Sequence, residues 1–417
     1  MSWRPWFTIQ PTALNRRTFP PTRPHVQWQR LTSSRQKGQP PMENKRKQSL
    51  NFRQDEVGHI MSCWRASLSC SMIGTGSVGK SNLIQHLMDA DVQSYFMQEV
   101  AQGKPFKSIN IDPNLLVPLS STDSGSEPIR CWAGYELMMH RLFLAFYPFD
   151  ILGDDAQQFY NAYTSLQDGT NPLYAQIGLR YFELGLEMLL QRGAQIVFMF
   201  DEFEELMKKL PVKFFLTLRG IRDRYKGQVA YMTFSRAPIP EIADNLGIDP
   251  LEIEPFAELF TDNLIYVGPY NDDDARDMLA RLMKRSQKNY SEDILQFLLW
   301  STGCHAGLLR ASFNALELLP QPLPDRNTLM QNSTQVARQL AGRSIVRTEC
   351  KGIWGSLNKI EKGLLTDVVR TGRFDVTDNA MQNAFQTLVK KKLVRLDQTT
   401  MSVEPAILRA YIEAGAE

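Results

Sequence analysis

GTGSVGKS, residues Gly74–Ser81, has the form G-x-x-x-x-G-K-S. This form fixes a fold when a strand feeds it and a helix leaves it. Both are expected here: Ser67–Ile73 reads as a strand and Lys80–Met88 as a helix. Glycines let the backbone curl until successive N–H groups point at phosphate oxygens. A helix beginning at Lys80 adds the positive end of its dipole. Lys80 is then expected to reach the β- and γ-phosphates and Ser81 to ligate Mg²⁺. Gly74, Thr75, Gly76, Ser77, Val78, Gly79 and the following Asn82 complete the cradle. The ligand implied is ATP with Mg²⁺. A glycine-rich turn with an unrelated lysine is the competing reading, and the strand–loop–helix context speaks against it.

IVFMFDEFEEL, Ile196–Leu206, supplies a second half for such a site. Five apolar residues predict a strand buried in mid-sheet, with Asp201 at its C-terminal end, where open α/β sheets bind ligands. Asp201 is expected to hold Mg²⁺ together with Ser81, and Glu202 to orient or deprotonate an attacking water. The alternative is that both acids only cap the next helix. Glu204 and Glu205 read as a solvated helix face. A third strand, Gln228–Ser235, ends in Arg236, an arginine placed to stabilise or sense a γ-phosphate; the alternative is a surface arginine. In STGCHAGLLR, Ser301–Arg310, the small residues allow close approach, and His305 or Arg310 would touch nucleotide. A buried, structural His305 competes with that role.

Outward from these motifs, short apolar runs alternate with helical patterns. Helices are expected at Gln54–Arg65, Trp132–Phe146, Gln176–Arg192 and Val212–Arg224, and strands at Phe106–Asp112 and Gln195–Phe200. That alternation predicts an α/β fold, a parallel sheet covered on both faces. Beyond Arg236 the pattern is helical, with a short strand at Asn263–Val267 and helices at Asp272–Arg285 and Ser291–Leu299. Three helices and a hairpin (Leu393–Leu396, Met401–Val403) close the chain, the outline of a winged helix. The expected division is 1–50, a disordered basic extension; 51–262, a P-loop nucleotide-binding domain; 263–345, a helical lid; and 346–417, the winged helix.

The 417 residues carry a net charge of +2, with 43% hydrophobic and 22% charged residues, ordinary for a globular protein. Residues 1–50 hold ten Lys/Arg against Glu43 alone, so the rest is mildly acidic. That head is open to three readings: a basic arm for nucleic acid or lipid, a transit peptide, or an unstructured extension ahead of a start at Met42. Five cysteines, an odd number without CxxC spacing, argue against a disulfide framework or zinc site and point to reduced thiols. The five histidines are scattered. No membrane span is expected, and the cytoplasm is the expected compartment.

GTGSVGKS, the FDE box and FSR (Phe234–Arg236) together resemble the STAND and AAA+ class of P-loop ATPases, which includes signal-transduction switches and origin-recognition-like machines. The resemblance spans about residues 51–417. FRQDE (Phe52–Glu56) looks like the R-x-x-E box ahead of the P-loop, which implies that Phe52 and Arg53 lie near the adenine. STGCHAGLLR looks like a GGHPGLLR-type lid segment, with Cys304 in place of a glycine and Ala306 in place of the proline. The class implies slow ATP hydrolysis by Glu202, Lys80 and Arg236. It also implies a switch between ADP and ATP states, self-association controlled by nucleotide, and a partner protein that brings the signal, since the chain stops just after the winged helix. DNA is the alternative partner, as in replication- or transposition-type ATPases. Residues 345–417 hold eleven Lys/Arg and nine acids, clustered only at Lys390–Lys392, and a DNA-binding module shows a broader basic face.

Overall fold

The computed structural model describes residues 48–97, 105–118, 126–168, 173–319, 326–373, 378–397 and 400–416. Residues 1–47, and with them Met42 and nearly all of the expected basic extension, lie outside the described residues.

The described chain opens with α1 (Gln54–Arg65), β1 (Cys70–Gly74), α2 (Lys80–Leu87), α3 (Ala90–Met97) and β2 (Phe106–Ile111). Helices α4 (Glu127–Phe146), α5 (Ala156–Gln167) and α6 (Tyr174–Gln191) stand between β2 and β3 (Gln195–Phe200). Then come α7 (Phe203–Lys209), α8 (Val212–Arg224), β4 (Val229–Ser235), α9 (Ile239–Asn245), α10 (Pro250–Ala257) and β5 (Leu264–Val267). The C-terminal part is α11 (Asp272–Ser286), α12 (Glu292–Thr302), α13 (Ala306–Ala315), α14 (Arg326–Ala341), α15 (Ser344–Gly355), α16 (Lys359–Thr371), α17 (Asn379–Lys390), the hairpin β6 (Val394–Asp397) and β7 (Thr400–Val403), and α18 (Ala406–Glu413).

Strands β1–β5 form one parallel sheet in the order β2-β3-β4-β1-β5, the α/β P-loop architecture expected. All residues of β3 and β4 are buried, because helices cover both faces. The period of two is visible along β3. Phe198 and Phe200 face a core with Phe182 and Phe214, whereas Val197 and Met199 face the opposite one with Trp64 and Leu83. Helix α1 buries Val57, Ile60, Met61 and Trp64, spaced three, four and seven apart, against that second core. A third core runs from Phe52 and Tyr270 through α11–α16 to Ile412.

Helices α1 and α8 and strand β3 fall on their expected bounds. The strand expected from Ser67 begins only at Cys70. Ser67 adopts a left-handed conformation (φ 54°), and the Leu68 N–H returns to the Cys63 carbonyl, which closes α1 before the sheet starts. Helix α5 was not expected. Half of its residues are polar, yet Phe159, Ala162 and Leu166 form a narrow buried stripe.

Candidate functional site

The loop between β1 and α2 turns on two residues of positive φ, Ser77 (62°) and Gly79 (99°). Gly79 is the N-cap of α2, so the helix aims its free N–H groups at the loop. The Lys80 ammonium reaches back over the loop, 2.7 Å from the Gly74 carbonyl and 3.3 Å from that of Ser235. The Thr75 hydroxyl is buried and has no hydrogen-bond partner among the described residues. A loop with a spare donor, curled backbone and a lysine suits an oligophosphate.

Parallel pairing brings the other motifs to the same sheet end. Asp201 leaves β3 with its N–H bonded to the Ile111 carbonyl at 3.0 Å. Its carboxylate accepts the Glu202 N–H at 2.9 Å, and burial pushes its pKa up against that bond. Glu202 is itself left-handed (φ 42°), exposed, and 3.4 Å from the Asn114 amide. Arg236 follows β4, and its N–H donates to the Glu204 carboxylate. Burial draws the half-buried Lys80 ammonium down to about 8, and the nearby Glu204 carboxylate opposes that effect.

These groups line one cavity of about 860 Å³. Thr75 to Asn82, Asp201, Glu202, Arg236 and Arg310 all reach its wall, whereas Gly74 stays in the strand end. Ser81 and Asp201 offer hard oxygen donors there, and among the described residues no cluster of three His, Cys, Asp or Glu could cage a metal. That donor set fits Mg²⁺, which binds through one or two protein oxygens and keeps its remaining positions for water and phosphate.

Three residues expected to touch nucleotide do not line this cavity. Phe52 is 1% exposed and packs edge-on between His86 and Tyr270 instead of lining the cavity. Arg53, equally buried, spends its guanidinium on the Val78 and Gly268 carbonyls at 2.9 Å and on Glu56, so it braces the loop from behind. His305 sits at the N-cap position of α13, fully buried and with no side-chain cap bond, and burial with the nearby Arg53 charge draws its pKa to about 4. Glu204 and Glu205, by contrast, both line the cavity rather than a purely solvated face. Glu204 lies in the first turn of α7, just after the strand-end pair Asp201 and Glu202.

Most of the residues that the C-terminal part supplies lie outside every motif, whereas Gly307 belongs to STGCHAGLLR. Glu349 of α15 accepts from the Ser77 hydroxyl and pairs with Arg310 at 3.1 Å. The Asn358 amide, at the start of α16, donates to Glu241 at 2.7 Å, and Glu361 also lines the cavity. The Asn82 amide donates to the Tyr270 hydroxyl at 2.9 Å, and the Gly307 N–H to the Ser77 carbonyl at 2.8 Å.

No family model and no curated protein matches the chain. Solved structures do. A Walker-type ATPase of Pyrococcus abyssi is similar at 14% identity and a TM-score of 0.46, over 87% of this chain and 95% of its own. The ORC2 protein of Aeropyrum pernix in ADPNP–ADP complexes is similar at 11% and 0.45, over 89% and 95%. Cdc6p of Pyrobaculum aerophilum is similar at 15% and 0.41, over 90% and 97%. No described helix is long and apolar enough to cross a membrane.

Proposed function

We propose that the protein is an ATP-binding and hydrolysing switch of the AAA+ class, of the STAND type, whose C-terminal part responds to the nucleotide at its P-loop. One observation carries this reading: the P-loop lysine, two strand-end carboxylates and two arginines meet in a single cavity that residues of α15 and α16 also line. Lys80 binds the β- and γ-phosphates. Glu202 orients the attacking water and takes its proton as the bond to the γ-phosphorus forms and the β–γ bridge breaks. Lys80 and Arg236 spread the charge of the transferred group. Ser81 and Asp201 would hold Mg²⁺, which would supply further charge neutralisation on the phosphates.

Residues 51–262 would form the nucleotide-binding domain, 263–345 the lid and 346–417 a winged helix, with self-association and a signalling partner protein completing the cycle. The test is Glu202→Gln. ATP binding should stay within about twofold while phosphate release falls at least a hundredfold, the scale of a lost general base. An unchanged release rate would remove Glu202 from its role.

Duplex DNA is a second reading, supported by exposed Arg370, Arg373 and Arg395 around the end of α16 and the hairpin, where the Met401 N–H meets the Gly372 carbonyl. Arg370 and Arg395 are engaged by Asp367 and Glu404, and Lys391 of the basic cluster is buried against Glu361, so the switch leads. DNA binding would show as a duplex mobility shift that weakens steeply with salt.

A further inference from the structure

Glu349 is the one carboxylate that the described C-terminal part lays on the P-loop itself. Its two oxygens are divided between the loop and the lid: one accepts from the Ser77 hydroxyl and the other from the Arg310 guanidinium at 3.1 Å. The Glu349 side chain is 17% exposed, so this arrangement is not a loose surface pair. The backbones close around it. A Cβ on Gly307 would overlap the Glu349 carboxylate and come within 2.5 Å of the Ser77 Cβ. A Cβ on Gly76 would strike the Gly352 carbonyl group of the same helix, 2.8 Å from its carbon. Glycine at both positions is therefore what allows α13 and α15 to seat on the loop.

An anion beside an anion-binding loop competes with the ligand of that loop. Arg310 lines the nucleotide cavity but is tied to Glu349. Phosphate oxygens offer an arginine the same bidentate partner that a carboxylate does. A nucleotide that takes Arg310, or crowds Ser77, thus costs α15 its anchor.

We propose that Glu349 is an internal latch: it holds α15 on the P-loop in place of phosphate, and nucleotide binding trades the Glu349–Arg310 and Glu349–Ser77 contacts for phosphate contacts, releasing α15. This rests on the reading of the cavity as an ATP site. It gives the switch a physical element, since differential contacts in two states are what a ligand needs to shift an equilibrium. Glu349 acts here as a positioning residue and touches no reacting atom.

The experiment uses the full chain, with a fluorescent ADP analogue as probe and hydrogen exchange of residues 344–355 as the structural readout. Glu349→Ala should bind the analogue about tenfold to several hundredfold more tightly, the range set by the loss of one exposed ion pair and one charged hydrogen bond. Its α15 should exchange faster without nucleotide, and wild-type α15 should reach that rate only with ADP bound. Glu349→Asp, with the charge kept and the reach shortened, should fall between. Damage to folding weakens binding, so tighter binding separates a latch from a merely structural residue. Equal or weaker binding with unchanged α15 exchange overturns the latch while leaving the ATP site intact. If wild type binds no nucleotide and Lys80→Ala behaves identically, the ATP reading fails and the latch fails with it.

Discussion

At the scale of single residues, His305 shows what a motif conceals. The sequence placed it in a segment of lid character and left two roles open, a nucleotide contact and a structural histidine. The fold puts it in the interior, where both ring nitrogens lack hydrogen-bond partners among the described residues and the Arg53 charge lies nearby. Both conditions disfavour the imidazolium. The folded-state pKa of about 4 is below the ordinary value of about 6.5, so the unfolded chain binds the extra proton first. Stability from this residue is therefore complete above pH 6.5 and is lost as pH falls from there through 4. Over that window the loss is about 3 kcal/mol. Urea midpoints at pH 7.5, 6 and 5 should fall progressively in wild type, and His305→Leu should flatten the slope. Parallel slopes in the two proteins would mean that other groups govern the acid transition. Glu202 and Asp201 were legible for the opposite reason: a strand of unbroken apolar residues announces its own end, and whatever polar residue follows must emerge there.

At the scale of elements, the sequence was informative where one pattern ran uninterrupted, as in the helical α1 and α8 and the apolar run of β3. It was silent where a short buried stripe lay in polar surroundings, as in α5, and where an element's meaning depends on what it packs against. The cluster Lys390–Lys392 is the instructive case. As sequence it is a basic patch of the kind that meets phosphate. In the fold Lys391 and Glu361 are each 2% exposed and 2.8 Å apart, and Lys390 lies over the Tyr266 ring of β5. Only Lys392 keeps an exposed head with no cation–π or ionic contact among those described. Glu361 also closes the capping box of α16 with Asn358, so one carboxylate starts the helix and neutralises the lysine. Breaking such a pair from one side strands a buried charge. Lys391→Met should lower unfolding stability by about 3–5 kcal/mol. Lys391→Met with Glu361→Gln, which retains a capping amide, should recover most of that loss. Denaturant unfolding of wild type, single and double variants measures both. A single variant within about 0.5 kcal/mol of wild type would show that solvent reaches the pair.

At the scale of the whole molecule, the parallel sheet followed from local signals, whereas the closure of the cavity did not. Ser77 and Glu349 are 272 residues apart, and no pattern along the chain connects them. Among the described residues, the polar contacts seating the C-terminal part on the P-loop part include Ser77 with Glu349, Asn82 with Tyr270, Asn358 with Glu241, the Gly307 N–H on the loop and the buried Arg53 N–H on Asp274. Each is of the order of 1 kcal/mol net. Together they are comparable to what a ligand supplies when it binds one of two arrangements about a hundredfold better, about 2.7 kcal/mol. Phe52 adds apolar burial in the core it shares with α11–α16, so a ligand of that differential affinity would loosen the polar part of the seat. ADP, which lacks the γ-phosphate next to Arg236, should leave the body largely seated, even with the Glu349 anchor traded away. A non-hydrolysable ATP analogue adds charge at Arg236 and should unseat it. Sizing chromatography of the full chain should accordingly show a compact species with ADP. With the analogue it should show a larger or associated one, more so with Glu202→Gln and ATP, where turnover cannot reset the state. Superimposable profiles under all three conditions, with nucleotide shown to be bound, would leave the protein an ATPase without a switch.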